Sequence, residues 1–374
     1  MTPGLSLYLD LLRVMAAFQV VIFHLGGVDA AGFGKGVLNA WGHEAVVVFF
    51  VLSGFVISHT AHTSDRTFRR YASSRISRLY SVVLPCLAIT VVLDSIGMRL
   101  APQVYDVFKI SDNIDVPFAR LIFCLLMLSE SWVSVRFFSI VPFWSLCYEF
   151  WYYVLFGCCF YFTGAKRVVL VVVAALISGP RILLLFPIWL MGVAAYKAPV
   201  RLMWSRPSVW LALIQPILVG VAYVHFDLRE WGVQPANWVL ERFGYSLGWS
   251  MLVVSDSILG LSFALHLAAA KQFDGALLRL FQPFGPAIRW GAGRSFTLYL
   301  MHQPVLFVLT ALMLSFAEGP WRPALILAGT VTVPLLMAPM IEVQRHRLRP
   351  WVERFQNHFA PPPAVLIQQP ARLI

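Results

Sequence analysis

Uninterrupted apolar runs recur along the whole chain, and they limit its architecture before any other property is considered. Val168–Ala175 and Ile182–Ala195 contain no ionisable residue. Similar stretches cover about 7–27, 37–59, 79–97, 118–134, 143–162, 167–178, 182–196, 208–226, 246–269, 295–316 and 323–343. Each is near the length of about 20 residues that a helix needs to cross a bilayer. Backbone N–H and C=O groups cannot go unpaired in hydrocarbon, so only a helical bundle or a closed barrel can span it. Barrel strands alternate apolar and polar residues, and these runs do not. The composition agrees: 59% of residues are hydrophobic and 13% charged, against about 45–50% and about 25% in soluble domains. The expected fold is all-α, a polytopic transmembrane helical bundle.

The net charge of +11 is distributed as a topology signal. Arg66, Arg69, Arg70, Arg75 and Arg78 follow the second apolar run with Asp65 as the one nearby acid. Cytoplasmic loops carry such an excess of basic residues, which places this loop and the N-terminus inside. Arg345, Arg347, Arg349 and Arg354 place the C-terminal end inside as well. Two cytoplasmic termini need an even number of crossings. About ten spans result if 118–134, which holds Arg120 and Glu130, is re-entrant or interfacial. Lys166–Arg167, Lys197–Arg206 and Lys271–Arg294 then fall inside, and 98–142, 226–245 and 317–322 outside. A single broken span over 167–196 is the competing count. Residues 1–345 form one membrane domain in this reading. Residues 346–374 form a basic, Pro-rich cytoplasmic tail, with Pro361–Ile374 expected to be disordered. Clustering of the arginines beside apolar spans argues against a nucleic-acid partner. The lipid bilayer is the first expected partner. Leu5–Gly27 has no basic stretch before it and reads as a retained helix, not a cleaved signal. The cysteines Cys86, Cys124, Cys147, Cys158 and Cys159 lack metal spacing, so no metal or disulfide framework is expected.

Ionisable groups inside such helices cost roughly 2.5–3.5 kcal/mol each on insertion scales, so each needs a reason. The first helix has Asp10, Arg13 and His24. Asp10 and Arg13 have the spacing of a same-face pair. His24 falls within about 20° of the Arg13 face and roughly 16 Å further along the axis. Arg13 could simply snorkel, and His24 could satisfy a backbone carbonyl. Imidazole is also the usual general base near neutral pH. Arg75 and Arg78 share a face at a membrane boundary, with Tyr80 just beyond. Paired guanidinium groups there suit a phosphate-bearing ligand or plain lipid anchoring. Glu149 is a carboxylate among aromatics, near Trp144, Ser145 and Tyr148. It could orient an imidazole or bind sugar hydroxyls. An aromatic belt explains the Trp and Tyr residues but not the acid. His302 follows Tyr299 by one turn and precedes Pro304. Ser53 lies in a small-residue break that equally suits close helix packing. His59 and His62 read as a solvated helix end, and Glu342 as a structural ion pair with the basic tail.

These pieces, in this order, resemble the acyltransferase-3 family of membrane O-acyltransferases, which includes O-antigen and exopolysaccharide acetylases. Leu9-Asp10-Leu-Leu-Arg13 followed by His24 resembles the family's first-helix signature. Phe49-Phe-Val-Leu-Ser53-Gly54-Phe55 resembles its second-helix motif, and Arg75-Ile-Ser-Arg78-Leu-Tyr80 its paired-arginine motif. Trp144-Ser145-Leu-Cys-Tyr148-Glu149 and Tyr299-Leu-Met-His302-Gln-Pro304 resemble two later ones. Three positions depart: Ala45-Val46-Val47 stands for the usual Gly-Val-Asp, Ser81 for a Pro, and Val343-Gln344 for Arg-Pro.

The resemblance implies transfer of an acyl group, by default acetyl, from cytoplasmic acyl-CoA to a carbohydrate hydroxyl, in a multi-pass protein of the cell's inner membrane. No permanently bound cofactor is expected; acyl-CoA is the donor substrate. His24, Arg13 and Glu149 are the expected catalytic residues. Arg75, Arg78 and Tyr80 are expected to hold the donor. Trp144, Ser145, Tyr148, Tyr299, His302, Ser53 and Asp10 are expected to bind the acceptor or support the site. A transporter or flippase is the alternative, although the repeat symmetry expected of one is not visible. A catalytically silent sensor is a third reading, opposed by the intact Arg13 and His24.

Overall fold

The computed structural model describes residues 1–28, 31–33, 41–108, 116–199, 206–316 and 319–358. These residues are helical almost throughout. Helices α1 (Pro3–Gly26), α2 (Gly42–Thr63) and α3 (Phe68–Leu100) are followed by a 3-10 turn at Pro102–Phe108 and a short α4 (Pro117–Leu125). Then come α5 (Phe143–Tyr161), α6 (Gly164–Lys197), α7 (Arg206–His225), α8 (Leu228–Phe243) and α9 (Val253–Ala270). Two short helices, α10 (Asp274–Phe281) and α11 (Gly285–Ala292), precede α12 (Ser295–Phe316), α13 (Arg322–Glu342) and α14 (Gln344–His358). The Pro-rich end Pro361–Ile374 and positions 200–205 of the expected Lys197–Arg206 loop lie outside the described residues.

Eight of the described helices are long and apolar enough to cross a membrane. Helix α6 folds back on itself and supplies two arms. Ahead of it, Phe68 packs on Phe162 at 4.9 Å and the Tyr161 hydroxyl donates to the Asp65 carbonyl. Near its end, Tyr196 packs on His59 and His62 at 5.5 and 5.6 Å. Both ends of α6 therefore meet the α2–α3 turn, although its 34 residues would reach about 51 Å if straight. The reversal is at Gly179, with φ 77° and ψ 170°, a conformation open to glycine. A Cβ there would also collide with the Ser131 carbonyl. The expected spans 167–178 and 182–196 are thus the two arms of a hairpin. Helix α5, with 19 residues, spans about 28 Å. Counting α6 twice and adding α5 gives ten crossings. Segment 118–134 does not cross: α4 holds 9 residues and irregular backbone follows.

The central packing is tight because small residues permit it. At the crossing of α2 and α6, a Cβ on Gly54 would collide with the Trp189 carbonyl, and one on Gly192 with the Val51 carbonyl. Close backbone approach of this kind drives helix association where lipid supplies no hydrophobic incentive. Two expected loops are structured instead. Residues 228–243 form α8, whose faces hold Trp231 and Trp238 exposed. The basic stretch after Glu342 is helical as α14. The Met1 amino group approaches His59 Nε2 at 3.1 Å, so the chain begins at the same end of the bundle as the α2–α3 arginine turn. Gly26, Leu100, Phe143, Gly179 and Val253 mark the opposite end.

Candidate active site

Three adjoining chambers run through the bundle along α1. The first is a vestibule at the arginine end, lined by Asp10, Arg13, Arg78, Arg289 and Glu342. Arg13, Arg78, Ser295 and Phe296 also line the second chamber, which adds Arg75, Ser53, Glu149, Tyr153 and Tyr299. Val46 and Tyr299 form its wall with the third chamber, lined by His24, His43, Trp144, Arg229 and Trp249.

The arginine chambers are made by α1, α2, α3, α5 and α12, with α11 and α13 closing the vestibule. Asp10 pairs with Arg13 at 3.2 Å, as their spacing leads one to expect. Arg75 is 6% exposed and gives its Nη2 to Asp65 at 2.9 Å and to Ser74 at 2.9 Å. Part of its charge is therefore spent on holding the α2–α3 turn. Arg78 lines the vestibule and the second chamber. Glu149 accepts the Ser53 hydroxyl at 2.6 Å and the Tyr153 hydroxyl, both at Oε1. Its Oε2 is the oxygen left for the chamber. Ser53 in turn accepts from Trp189 Nε1 at 3.1 Å, which explains why a serine interrupts the Phe49–Phe55 run. Glu149 thus lines the same chamber as Arg13, Arg75 and Arg78. Glu342 accepts the Thr297 N–H at 3.3 Å and hydroxyl at 3.0 Å and lines the vestibule.

In the third chamber His24 has a defined polarity. His302 is fully buried, and its Nδ1 meets the Leu298 carbonyl at 3.1 Å. A carbonyl only accepts, so His302 Nδ1 holds the proton and Nε2 is an acceptor. His302 Nε2 lies 3.1 Å from His24 Nδ1, which is also 2.9 Å from the Val20 carbonyl. His24 Nδ1–H is therefore shared between two acceptors, and His24 Nε2 is the bare nitrogen. This tautomer is fixed by the Val20 carbonyl together with His302, a residue the sequence flagged only as supporting, and not by Glu149. The wall residue Tyr299 is held by Ser145, 2.7 Å away.

Two expected site residues are elsewhere. The Tyr80 hydroxyl donates to the Leu125 carbonyl at 2.6 Å and anchors the end of α4, outside the chambers. Tyr148 is fully buried, with its hydroxyl 3.1 Å from Ser250 Oγ. Trp144 does line the third chamber, stacked on Trp249 at 4.9 Å and 10°. Sequence reasoning missed the pair opposite His24: His43 Nε2 and Asp256 Oδ2 are 2.8 Å apart. The signal was present, since Asp256 is an acid inside the apolar run 246–269.

No curated protein and no solved structure matches the chain. Residues 6–339 match the acyltransferase domain of the acyltransferase-3 family. That match covers every chamber residue except Glu342 and joins the five motifs in one domain, so the chain belongs to this family and is a multi-pass membrane acyltransferase.

Proposed function

We propose that this chain, embedded in the inner (cytoplasmic) membrane, moves an acyl group from cytoplasmic acyl-CoA to a hydroxyl of a carbohydrate destined for the cell surface. Acetyl is the simplest acyl group. The observation that supports this most is that an arginine-lined chamber and a histidine-bearing, aromatic-lined chamber share one wall, Val46 and Tyr299. Arg13, Arg78 and Arg289 supply the bidentate donors that phosphates prefer, with Arg75 beside them. Tyr80 is left out of the donor site. Coenzyme A phosphates at the vestibule would send the pantetheine arm along α1 toward Tyr299.

The chemistry follows from the polarity of His24. Its Nε2 takes the proton of the acceptor hydroxyl while that oxygen attacks the thioester carbonyl. The C–S bond then breaks, and the imidazolium returns the proton to the departing thiolate. General-base assistance of this kind contributes typically about 10²–10⁴-fold. Glu149, Ser53 and Asp10 keep the arginines in place, and Trp144 offers a face to the sugar.

The test is His24→Ala, assayed with labelled acetyl-CoA in membranes. Transfer should vanish while the protein level in the membrane is unchanged. Near-normal product would sink the assignment. Movement of an intact glycolipid by the wild type, without acylation, would favour a flippase instead.

A further inference from the structure

The pair His43–Asp256 is built more carefully than helix packing requires. Asp256 is fully buried and His43 is 8% exposed. They come from the first turns of α2 and α9 and meet at 2.8 Å through His43 Nε2. The His43 ring lies parallel to Trp144, 5.9 Å between centroids and 7° between planes. Trp144 in turn stacks on Trp249. All three rings line the chamber that holds His24.

A carboxylate only accepts, so neutral His43 gives Asp256 its Nε2–H and keeps a bare Nδ1. The chamber then contains two imidazoles of the same polarity, His24 with Nε2 free and His43 with Nδ1 free. Each can accept one hydroxyl proton. An acceptor with a single hydroxyl uses one and leaves the other without its bond, which costs about 1–3 kcal/mol for a desolvated group. An acceptor with several hydroxyls and an apolar ring face satisfies both nitrogens and covers the Trp144–Trp249 stack.

We propose that His43, held by Asp256, is an acceptor-binding residue that selects a polyhydroxylated ring and fixes its orientation toward His24. This rests on the reading of the third chamber as the acceptor side. Where the reacting hydroxyl goes to His24, a neighbouring hydroxyl goes to His43. The pair is therefore a specificity device for sugars over simple alcohols.

The experiment uses the full chain in lipid nanodiscs, with tryptophan fluorescence read against a panel of methyl pyranosides, their mono-deoxy analogues and cyclohexylmethanol. The best methyl pyranoside should bind more tightly than cyclohexylmethanol. One mono-deoxy analogue should lose at least about tenfold, the scale of a missing hydrogen bond. His43→Leu should abolish that discrimination and leave binding of a non-hydrolysable acetyl-CoA analogue unchanged. His43→Gln, whose amide can give N–H to Asp256 and keep an acceptor oxygen, should restore much of it. Should His43→Leu fail to reach the membrane, Trp249→Ala must lose pyranoside binding without touching the pair. Absence of pyranoside binding in the wild type, or full discrimination in His43→Leu, overturns the proposal. His24→Ala removes the partner of the reacting hydroxyl and should weaken pyranoside binding, yet it should keep the discrimination that His43 supplies. If the wild type binds them but never consumes acetyl-CoA, the acyl-transfer reading fails while the sugar subsite stands.

Discussion

His302 gives His24 its direction. Without the His302 acceptor, the His24 Nδ1–H keeps only the Val20 carbonyl, and the ring is free to turn. A neutral hydrogen bond is worth about 0.5–1.5 kcal/mol, so His302→Ala should lower kcat up to about tenfold with little change in KM for acyl-CoA. An unchanged kcat would show that Val20 alone fixes the tautomer. The arginines should separate by a different readout. Arg78→Gln should weaken binding of a non-hydrolysable acyl-CoA analogue, whereas Arg75→Gln should mainly lower the melting temperature in detergent, because it strands Asp65. Equal losses of binding in both would return Arg75 to the donor site. Glu130 offers a pH test outside the spanning helices. Burial pushes its carboxyl up to about 7, opposed by the Ser134 hydroxyl and by Arg181 and Arg136. The folded protein thus holds a proton that the unfolded chain has lost between about 4.5 and 7, and this contribution to stability disappears as pH rises through that window. Glu130→Gln should gain melting temperature relative to wild type at pH 8 and show no gain at pH 4.5; a constant difference would exclude the titration. His24, Arg13 and Glu149 stood out in the sequence because each breaks an apolar run. The pairing of His43 with Asp256 did not: Asp256 also breaks an apolar run, but its partner is 213 residues away and no local pattern joins the two. Tyr80 misled for the opposite reason: its neighbours on the helix line the chamber while its own hydroxyl turns to α4.

The elements follow from the sequence where apolar length decides and depart from it where tertiary contact decides. Spans α1, α2, α12 and α13 lie where the runs predict them, within about five residues, whereas α3 starts eleven residues ahead of its run, at Phe68. Helix α8 was read as an external loop because polar residues and Pro235 interrupt it. Its position is set by packing on α7 and α9, with Gly232 set against Ser255, and no local periodicity encodes that. The α6 reversal was the open choice between one broken span and two. It is decided by a glycine at positive φ and by the two contacts that return the chain to the α2–α3 turn. The α2–α6 crossing is where this architecture is most sensitive. Helix α2 brings Ser53 and Val46 to the chambers, and α6 brings Trp189 to Ser53. Gly54→Ala places a methyl against the Trp189 carbonyl, and backbone cannot yield as a side-chain tip can. Overpacking typically costs about 1–3 kcal/mol, so the variant should lose melting temperature in detergent. It should also lose activity, through separation of Ser53 from Trp189. Gly164→Ala, which meets open space but has φ 59°, tests backbone strain alone. It should cost about 1 kcal/mol and leave turnover per folded molecule intact. A Gly54→Ala protein with normal stability would mean that the two helices are free to slide apart.

At the scale of the molecule, the chambers give the site two entrances with different chemistry, and the charge distribution says which faces the cytoplasm. Arg66, Arg69, Arg70, Arg75, Arg78, Lys166, Arg167, Lys197, Lys271, Arg279, Arg289 and Arg294 belong to the end that holds the start of α1 and the α2–α3 turn. The opposite end has fewer, among them Arg99, Arg136, Arg229, Arg242 and Arg322, and it holds the aromatic chamber. The positive-inside rule therefore turns the arginine vestibule inward, as the proposed acyl-CoA donor requires, and the Trp144–Trp249 chamber outward. Arg289 on α11 and Met251 at the third chamber report the two sides. Each is changed to cysteine in a background carrying Cys159→Ser, since Cys159 is exposed and the other four cysteines are buried. A membrane-impermeant maleimide applied to right-side-out vesicles should modify Met251→Cys and spare Arg289→Cys; in inverted vesicles the pattern should reverse. Acetyl-CoA should protect Arg289→Cys from the reagent and leave Met251→Cys unprotected, because donor and reagent compete only in the vestibule. Modification of both positions from one face would end the two-sided geometry while leaving the family and the His24 chemistry untouched. Protection of Met251→Cys by acetyl-CoA would place the donor in the aromatic chamber and exchange the roles of the two entrances.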